Sequence, residues 1–225
     1  MMSMEYKYEL HCHTAQTSRC AACPAEKAVE LYKKNGYSGM VITDHYSPQT
    51  FLDRHLFAPQ KEVDFYLRGY EAALAAAGDD FTVLLGMEIR FYGNGNDYLV
   101  YGITPEFIRE YGNLMTYYPR RFYELCKKHN MIFLQAHPFR PYIFRTNPKY
   151  LDGCETYNGK AGDTDINKKA QAWAEKNNMK IRVGGTDFHR EAHLENLSGI
   201  ITSEKITTND DLLRILRGGE FRIIK

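Results

Sequence analysis

Five short apolar runs in this chain each end on residues of metal-ligand type. They are YEL before His11 and His13, GMVIT before Asp44 and His45, FTVLLGM before Glu88, MIFLQA before His137, and KIRVGGT before Asp187 and His189. A short apolar run bounded by turn signals reads as a buried strand. When parallel strands close into a barrel or line up in an open α/β sheet, their carboxyl ends gather on one face, and residues remote in sequence converge there. The pattern therefore predicts an α/β chain with a centre for several metal ions on that face. Residues two apart in a strand point the same way, so His11 and His13 are expected to face one ion while Cys12 turns to the opposite side.

Between the runs the sequence alternates strand and helix. Strands are expected at Lys7 to His13, Gly39 to Thr43, Phe81 to Met87, Tyr98 to Ile103, Met131 to Gln135, Cys154 to Tyr157, Lys180 to Gly185, Ser198 to Thr202 and Phe221 to Ile224. Helices are expected at Pro24 to Asn35, with Pro opening and Gly36 closing it, and at Glu62 to Ala77, Pro105 to Tyr111, Pro119 to His129 and Asp165 to Asn177. A last helix begins at Thr208 and stops at Gly218-Gly219. The stretch from Pro138 to Lys149, rich in Pro, Arg and aromatics, is expected to be an ordered loop over the strand ends. With no linker or repeat, the 225 residues are read as one domain, 1–225.

Composition narrows the setting. A hydrophobic fraction of 44% with 25% charged residues is ordinary for a globular chain, and no stretch approaches the ~18 apolar residues needed to span a membrane. The amino terminus shows no secretion signal, so a cytoplasmic location is expected. A net charge of +1 gives no general field for a nucleic-acid backbone, so no strong nucleic-acid signal is read, and the local clusters Arg120-Arg121 and Lys127-Lys128 are taken as helix-surface charge. Five scattered cysteines, an odd number, argue for reduced thiols rather than a disulfide framework.

Imidazole with carboxylate ligation suits Zn, Mn or Fe, and sparse thiolate argues against a closed structural zinc site. Any one of these His or Asp residues alone could be a hydrogen-bonded strand end; the convergence of five endings carries the argument. At this point the chain resembles the PHP family, named for polymerase and histidinol phosphatase. The match runs through HCHT at 11–14, TDH at 43–45, GME at 86–88, AHPF at 136–139 and GTDFH at 185–189.

The resemblance implies a metal-dependent phosphoesterase on a distorted, TIM-barrel-like barrel of seven βα units. By position it implies that His11, His13, Glu88 and Asp187 hold a first ion, that Glu88 bridges to a second ion also held by His137, and that His45 and His189 belong to a third. Two departures stand out. Where the family commonly follows its His pair with another His or Asp, this chain reads TSRC, with Arg19 near that position. Where the family often has a His about ten residues after the bridging Glu, this chain has Asp97 or Tyr98. Asp97 is the expected substitute ligand, with Tyr98 the alternative as an inward core residue. The third site is expected to be weak.

Arg140, directly after HPF, and Arg19 are the candidates for holding a substrate phosphate, ahead of Arg90 and Arg190. Asn158 is expected to cap a loop. Cys20 and Cys23 form a C-x-x-C and are expected to pack in the loop, with involvement of Cys20 in the adjacent metal loop the alternative, while His55, His129 and His193 are left as surface or structural residues. The reading is a hydrolase of a small phosphorylated metabolite with two or three divalent ions, metal-activated hydroxide as nucleophile, and Glu88 and Asp187 as the catalytic carboxylates. Two alternatives stand beside it: hydrolysis of a C–N or carboxylic ester bond, and a metal-stabilised binding module without turnover.

Overall fold

The computed structural model describes residues 5–52, 59–162 and 164–225. In chain order the elements are β1 (Tyr6–Cys12), α1 (Ala25–Lys34), β2 (Gly39–Ile42), β3 (His45–Tyr46), α2 (Pro48–Leu52), α3 (Pro59–Ala77), β4 (Thr82–Ile89), β5 (Tyr98–Tyr101), α4 (Pro105–Tyr111), α5 (Pro119–Lys128), β6 (Ile132–Gln135), β7 (Gly153–Asn158), α6 (Asp165–Lys176), β8 (Ile181–Gly185), β9 (Gly199–Thr202), α7 (Asn209–Gly218) and β10 (Phe221–Ile224). Every expected strand and helix is present, within a few residues of its expected bounds. His55 lies outside the described residues.

The strands form one sheet in the order β10-β9-β1-β2-β4-β5-β6-β7-β8, with β3 added alongside β4. This is the barrel-like α/β architecture, with two corrections to the expected seven βα units. Among the described residues there are ten strands, and β5 runs antiparallel to both β4 and β6, as β9 does to β1 and β10. The physical reason for the first reversal is loop length. Parallel neighbours need a crossover of a dozen or more residues. Arg90 to Asp97 is too short for that, so the chain turns straight back. Because β5 is reversed, its first residues rather than its last lie at the carboxyl end of its neighbours. That places Asp97 on the ligand face.

The sheet curls until the segment after β8 meets the end of β1. Cys12 and Phe188 form a parallel bridge, His13 N donates to Phe188 O at 2.9 Å, and Phe188 N donates to His11 O at 3.0 Å. Gly185 makes this approach possible, since a Cβ there would fall 2.4 Å from the Cβ of His11.

Tyr8, Leu10, Val41, Leu99, Leu134 and Val183 fill the inside, and Leu212, Leu213 and Leu216 of α7 pack against the same cluster. Outside, α1 and α3 cover Cys12, Met40, Ile42 and Val83. Simple alternation would put Leu10 and His11 on opposite faces. A bulge in β1 between Glu9 and Cys12 inserts one extra residue opposite β2, so the strand is re-aimed where its ligands begin. A second bulge, in β7 between Glu155 and Tyr157, lies at the same mouth.

Candidate metal centre

Glu88, at the end of β4 and 1% exposed, is the hub. Its Oε1 lies 3.0 Å from His137 Nε2 and 3.3 Å from His11 Nε2, while Oε2 lies 2.7 Å from His45 Nδ1 and 3.4 Å from His13 Nε2. Asp187 Oδ1 is 3.4 Å from His13 Nε2, 3.3 Å from His189 Nδ1 and 3.7 Å from His11 Nε2. All seven expected His, Glu and Asp strand-end ligands therefore share one cluster. Four overlapping groups could each hold an ion: His11, His13 and Asp187; His11, Glu88 and His137; His13, His45 and His189; and His45, Glu88 and Asp97.

Whether this cluster suits cations is tested by its polar atoms. His11 Nε2, His13 Nε2, Glu88 Oε2 and His137 Nδ1 are buried and make no aligned hydrogen bond, although other donors and acceptors crowd around them. Orphaned buried polar atoms cost on the order of 1–3 kcal/mol each, more when charged. His11 Nε2 and His13 Nε2 converge on the Glu88 carboxylate, whose own Oε2 is the third orphan, an arrangement that divalent ions satisfy, so the residues fit the ions.

The imidazoles are held in the tautomers that ligation needs. A carboxylate can only accept, so His11 Nδ1 donates to Glu155 Oε1 at 2.8 Å, and Nε2 faces the centre as the nitrogen that would ligate an ion once its proton leaves. His189 Nδ1 donates to the carbonyl of Asp187 at 2.8 Å, with the same result. His13 Nδ1 meets Ser18 Oγ at 3.2 Å, and that hydroxyl donates to Asp44 at 2.6 Å while accepting from His45 N at 3.0 Å. Asp44 thus braces Ser18 and Thr14 rather than facing an ion, and burial pushes its carboxyl up to about 6.

Two ligands sit on strained backbone. His137 has φ +26° and Asp187 φ +55°, left-handed values that non-glycine residues rarely adopt. The surroundings hold both. His137 N donates to Glu155 Oε2 at 3.0 Å, and Asp187 Oδ2 lies 3.4 Å from both Asn158 Nδ2 and Lys160 Nζ.

Electrostatics follow this layout. Burial opposes a charge on His11, but Glu155, Glu88 and Asp187 outweigh it and hold the imidazole well above its usual range. Burial likewise opposes ionisation of Glu88 and Asp187. His45 and His11 beside Glu88, and His11, His13 and Lys160 beside Asp187, nonetheless hold both carboxyls well below the carboxylate range. His13 is the exception, since burial and the neighbouring His189 and His45 push it well below.

Several residues that matter here were not singled out from the sequence. Glu155 and Glu9 are fully or nearly fully buried carboxylates, and Glu9 accepts from His11 N at 2.7 Å, Thr186 N at 2.9 Å and the Tyr32 hydroxyl at 2.5 Å. Their signal was a Glu inside a run expected to be buried. Lys160 and Ser18 had no comparable signal. Asn158 caps its loop as expected, accepting from Ala161 N, and also donates to Glu155 Oε2 at 2.9 Å.

Cys20 departs from its expected role in loop packing. It is exposed, and its Sγ lies 3.1 Å from His189 Nε2, whereas Cys23 is buried. Arg19 lines a cavity of about 400 Å³ with Cys20, His45, Ser47 and Arg90. Asp97 is gripped by Arg90 through two 2.7 Å hydrogen bonds, so as a ligand it would bring Arg90 with it. Arg140 borders a smaller cavity of about 140 Å³ with His137, Asn158, Lys160 and Asp187. Arg190 is exposed beyond the end of β8.

Glu155→Ala is expected to weaken metal affinity roughly 10–100-fold, the usual cost of losing the carboxylate behind a ligating imidazole. Glu155→Gln, which can still accept from His11, should recover part of it. Metal titration calorimetry with circular dichroism as a folding control reads this out. Equal affinity in Glu155→Ala and the parent chain would remove Glu155 from the support of His11.

Known proteins bear on this site. Residues 9–203 match the PHP domain. A PolC-type DNA polymerase III of Clostridium perfringens is 31% identical over 108 residues, which is 43% of this chain and 7% of the polymerase. A two-domain protein from Bacteroides vulgatus, described as containing a predicted PHP-like metal-dependent phosphoesterase, superposes with a TM-score of 0.68 at 13% identity, over 98% of this chain and 65% of that one. The lesion-specific endonuclease EndoQ of Pyrococcus furiosus gives 0.60 at 17% identity, over 98% and 58%. This chain thus spans under two thirds of each of these proteins.

Endonuclease Q has also been seen with a 27-mer duplex whose abasic lesion lies at the active site. That finding overturns the expectation of a small phosphorylated substrate, made on the absence of a strong nucleic-acid signal. Net charge averages the whole chain and does not report that Arg19 and Arg90 line one cavity beside the candidate ligands, and Arg140 and Lys160 another. Among the described residues no helix is long and apolar enough to cross a membrane. With the domain match covering most of its length and the candidate ligand residues assembled at one end of its sheet, this chain belongs to the PHP domain family.

Proposed function

We propose that this protein hydrolyses a phosphoester in a nucleic-acid strand, using two or three divalent ions of the Zn, Mn or Fe class. The observation that carries the reading is Glu88, whose two oxygens face two separate pairs of imidazoles beside a cavity bordered by Arg140 and Lys160. When bound, such ions polarise a phosphoryl oxygen and make water a nucleophile at neutral pH. In this reading His11, His13, Glu88 and Asp187 hold one ion, Glu88 and His137 a second, and His45 and His189 a third, with Asp97 available beside His45.

The chain's own groups supply the rest. Arg140 and Lys160 neutralise the non-bridging oxygens of the phosphate, Arg140 through the planar fork that matches two oxygens at once. Arg19 reaches the strand from the other side, in the cavity next to His45. Lys160 and Asn158, both 3.4 Å from Oδ2, keep Asp187 ionised and oriented with Oδ1 towards the imidazoles. A reducing compartment such as the cytoplasm suits a site with an exposed thiol at its rim.

The test uses protein reconstituted with Zn or Mn. Substrates are end-labelled single-stranded DNA, a duplex with one abasic site, and bis-p-nitrophenyl phosphate. Cleavage of at least one labelled strand, lost in Glu88→Gln, is the expected result. Turnover of a carboxylic ester or amide by the loaded protein, with no phosphoester cleaved, would overturn it.

A further inference from the structure

We propose that Cys20 is a metal ligand, binding as thiolate to the ion that His45 and His189 face, and that this chain therefore carries a sulfur donor in a centre otherwise made of nitrogen and oxygen. The proposal rests on the metal-centre reading above and adds a residue to it. Three observations carry it. First, Cys20 Sγ is 3.1 Å from His189 Nε2, and Nδ1 of that ring is already committed to the Asp187 carbonyl, so the nitrogen facing the sulfur presents a lone pair. Second, His13, His45 and His189 bring ligand nitrogens within 4.8 Å of one another, and His13 Nε2 in that group is wholly buried with no hydrogen-bond partner.

Third, the thiol is held in place by the backbone. Ala22 N and Cys23 N both donate to the carbonyl of His189, at 2.8 and 3.2 Å, Ala21 N closes a turn onto Ser18 O at 3.0 Å, and Ala15 N donates to Cys23 O at 2.9 Å. The loop that carries Cys20 is thus pinned to the segment that carries His189.

The chemistry has a consequence for ion choice. A thiolate with imidazoles favours zinc, cobalt or ferrous iron in a tetrahedral arrangement, with Zn–S near ~2.3 Å and Zn–N near ~2.0–2.1 Å, over magnesium or manganese, which prefer oxygen. His45, His189 and the thiolate supply three ligands, with His13 Nε2 turned towards the same ion, and Cys20 and His45 both line the cavity that Arg19 and Arg90 border. The weak third site expected from the sequence becomes a site with a negative ligand of its own.

Cobalt(II) reconstitution tests this without reference to turnover. The full chain loaded with Co(II) should show a sulfur-to-cobalt charge-transfer band in the near ultraviolet. Cys20→Ser should lose the band and one equivalent of bound metal. Cys20→Asp should regain the equivalent without the band. Iodoacetamide should modify Cys20 at least ~10-fold more slowly in loaded protein, because a coordinated thiolate is a poorer nucleophile. The serine variant is exposed and tolerable for folding, and circular dichroism checks it. Loaded protein with no band and unchanged alkylation would overturn the proposal while leaving the ions of Glu88 in place. Failure of the parent chain to bind Co(II) or Zn(II) at all would overturn both this proposal and the metal-centre reading.

Discussion

Glu88→Gln is expected to keep the fold, lose at least one bound ion per chain, and lower phosphoester turnover by on the order of 10³, equivalent to about 4 kcal/mol of transition-state stabilisation. The size follows from geometry. Two oxygens of one carboxylate lie within 3.4 Å of His11, His13, His45 and His137, so a single group neutralises and bridges two sets of ligands. An amide offers one neutral oxygen and turns a donor towards the other pair. Its NH₂ would face imidazoles that carry protons in the ion-free chain, so the variant loses that charge pairing at a modest cost in ion-free stability and closes one side of the centre to cations. Metal content by mass spectrometry, thermal unfolding with and without Zn, and turnover together separate these effects. Unchanged metal content with unchanged rate would take Glu88 out of the centre. A large drop in ion-free stability would instead mark it as a structural hub.

The ligand face was legible in the sequence because each ligand ends an apolar run, and strand polarity then fixes the face. His11, Glu88, His137 and Asp187 needed nothing more. Asp97 was less legible, since it precedes its strand, and only the reversal of β5 brings it to the same end. That reversal is set by the short Arg90–Asp97 connection, a matter of loop length that apolar periodicity does not report.

The supporting carboxylates were harder to read. Glu155 acts across the barrel on His11, 144 residues away, and Glu9 ties β1 to Thr186 and to Tyr32 of α1. Such pairings depend on two bulges, and a bulge adds one residue to a strand without changing its composition. Cys20 shows the limit most clearly. Its neighbour Arg19 sits nearer the family's ligand position in the sequence, yet the turn from Ser18 to Ala21 brings the thiol rather than the guanidinium to His189.

Loading the centre with Zn is expected to release protons near neutral pH, because ligating imidazoles must be neutral. In the ion-free chain His11 and His45 are held well above their usual range, and His137 above it, by Glu88 together with Glu155 for His11 and Cys20 for His45. Protons on these rings take the place of cations. The sign of the pH dependence follows. A raised histidine stabilises the folded chain fully below about 6.5, its unfolded value, and that contribution disappears as pH rises through the folded value. Glu88 and Asp187, held low, contribute above the ordinary carboxylate range of about 4 and lose that contribution only in strong acid. His13, pushed down, acts in the opposite sense and costs stability as pH falls below about 6.5, one ring against three. The ion-free protein should therefore melt highest in mildly acidic buffer and lose stability towards alkaline pH, while the Zn-loaded protein gains over the same range as proton competition for the imidazoles fades. Calorimetric titration of Zn in two buffers of different ionisation enthalpy counts the protons, and paired melting curves across pH 6 to 8 show the divergence. Zn affinity that stays flat over that interval, with no buffer dependence of the heat, would mean that the imidazoles are already neutral in the ion-free chain. The charge pairing around Glu88 would then not be what holds the centre together before metal arrives.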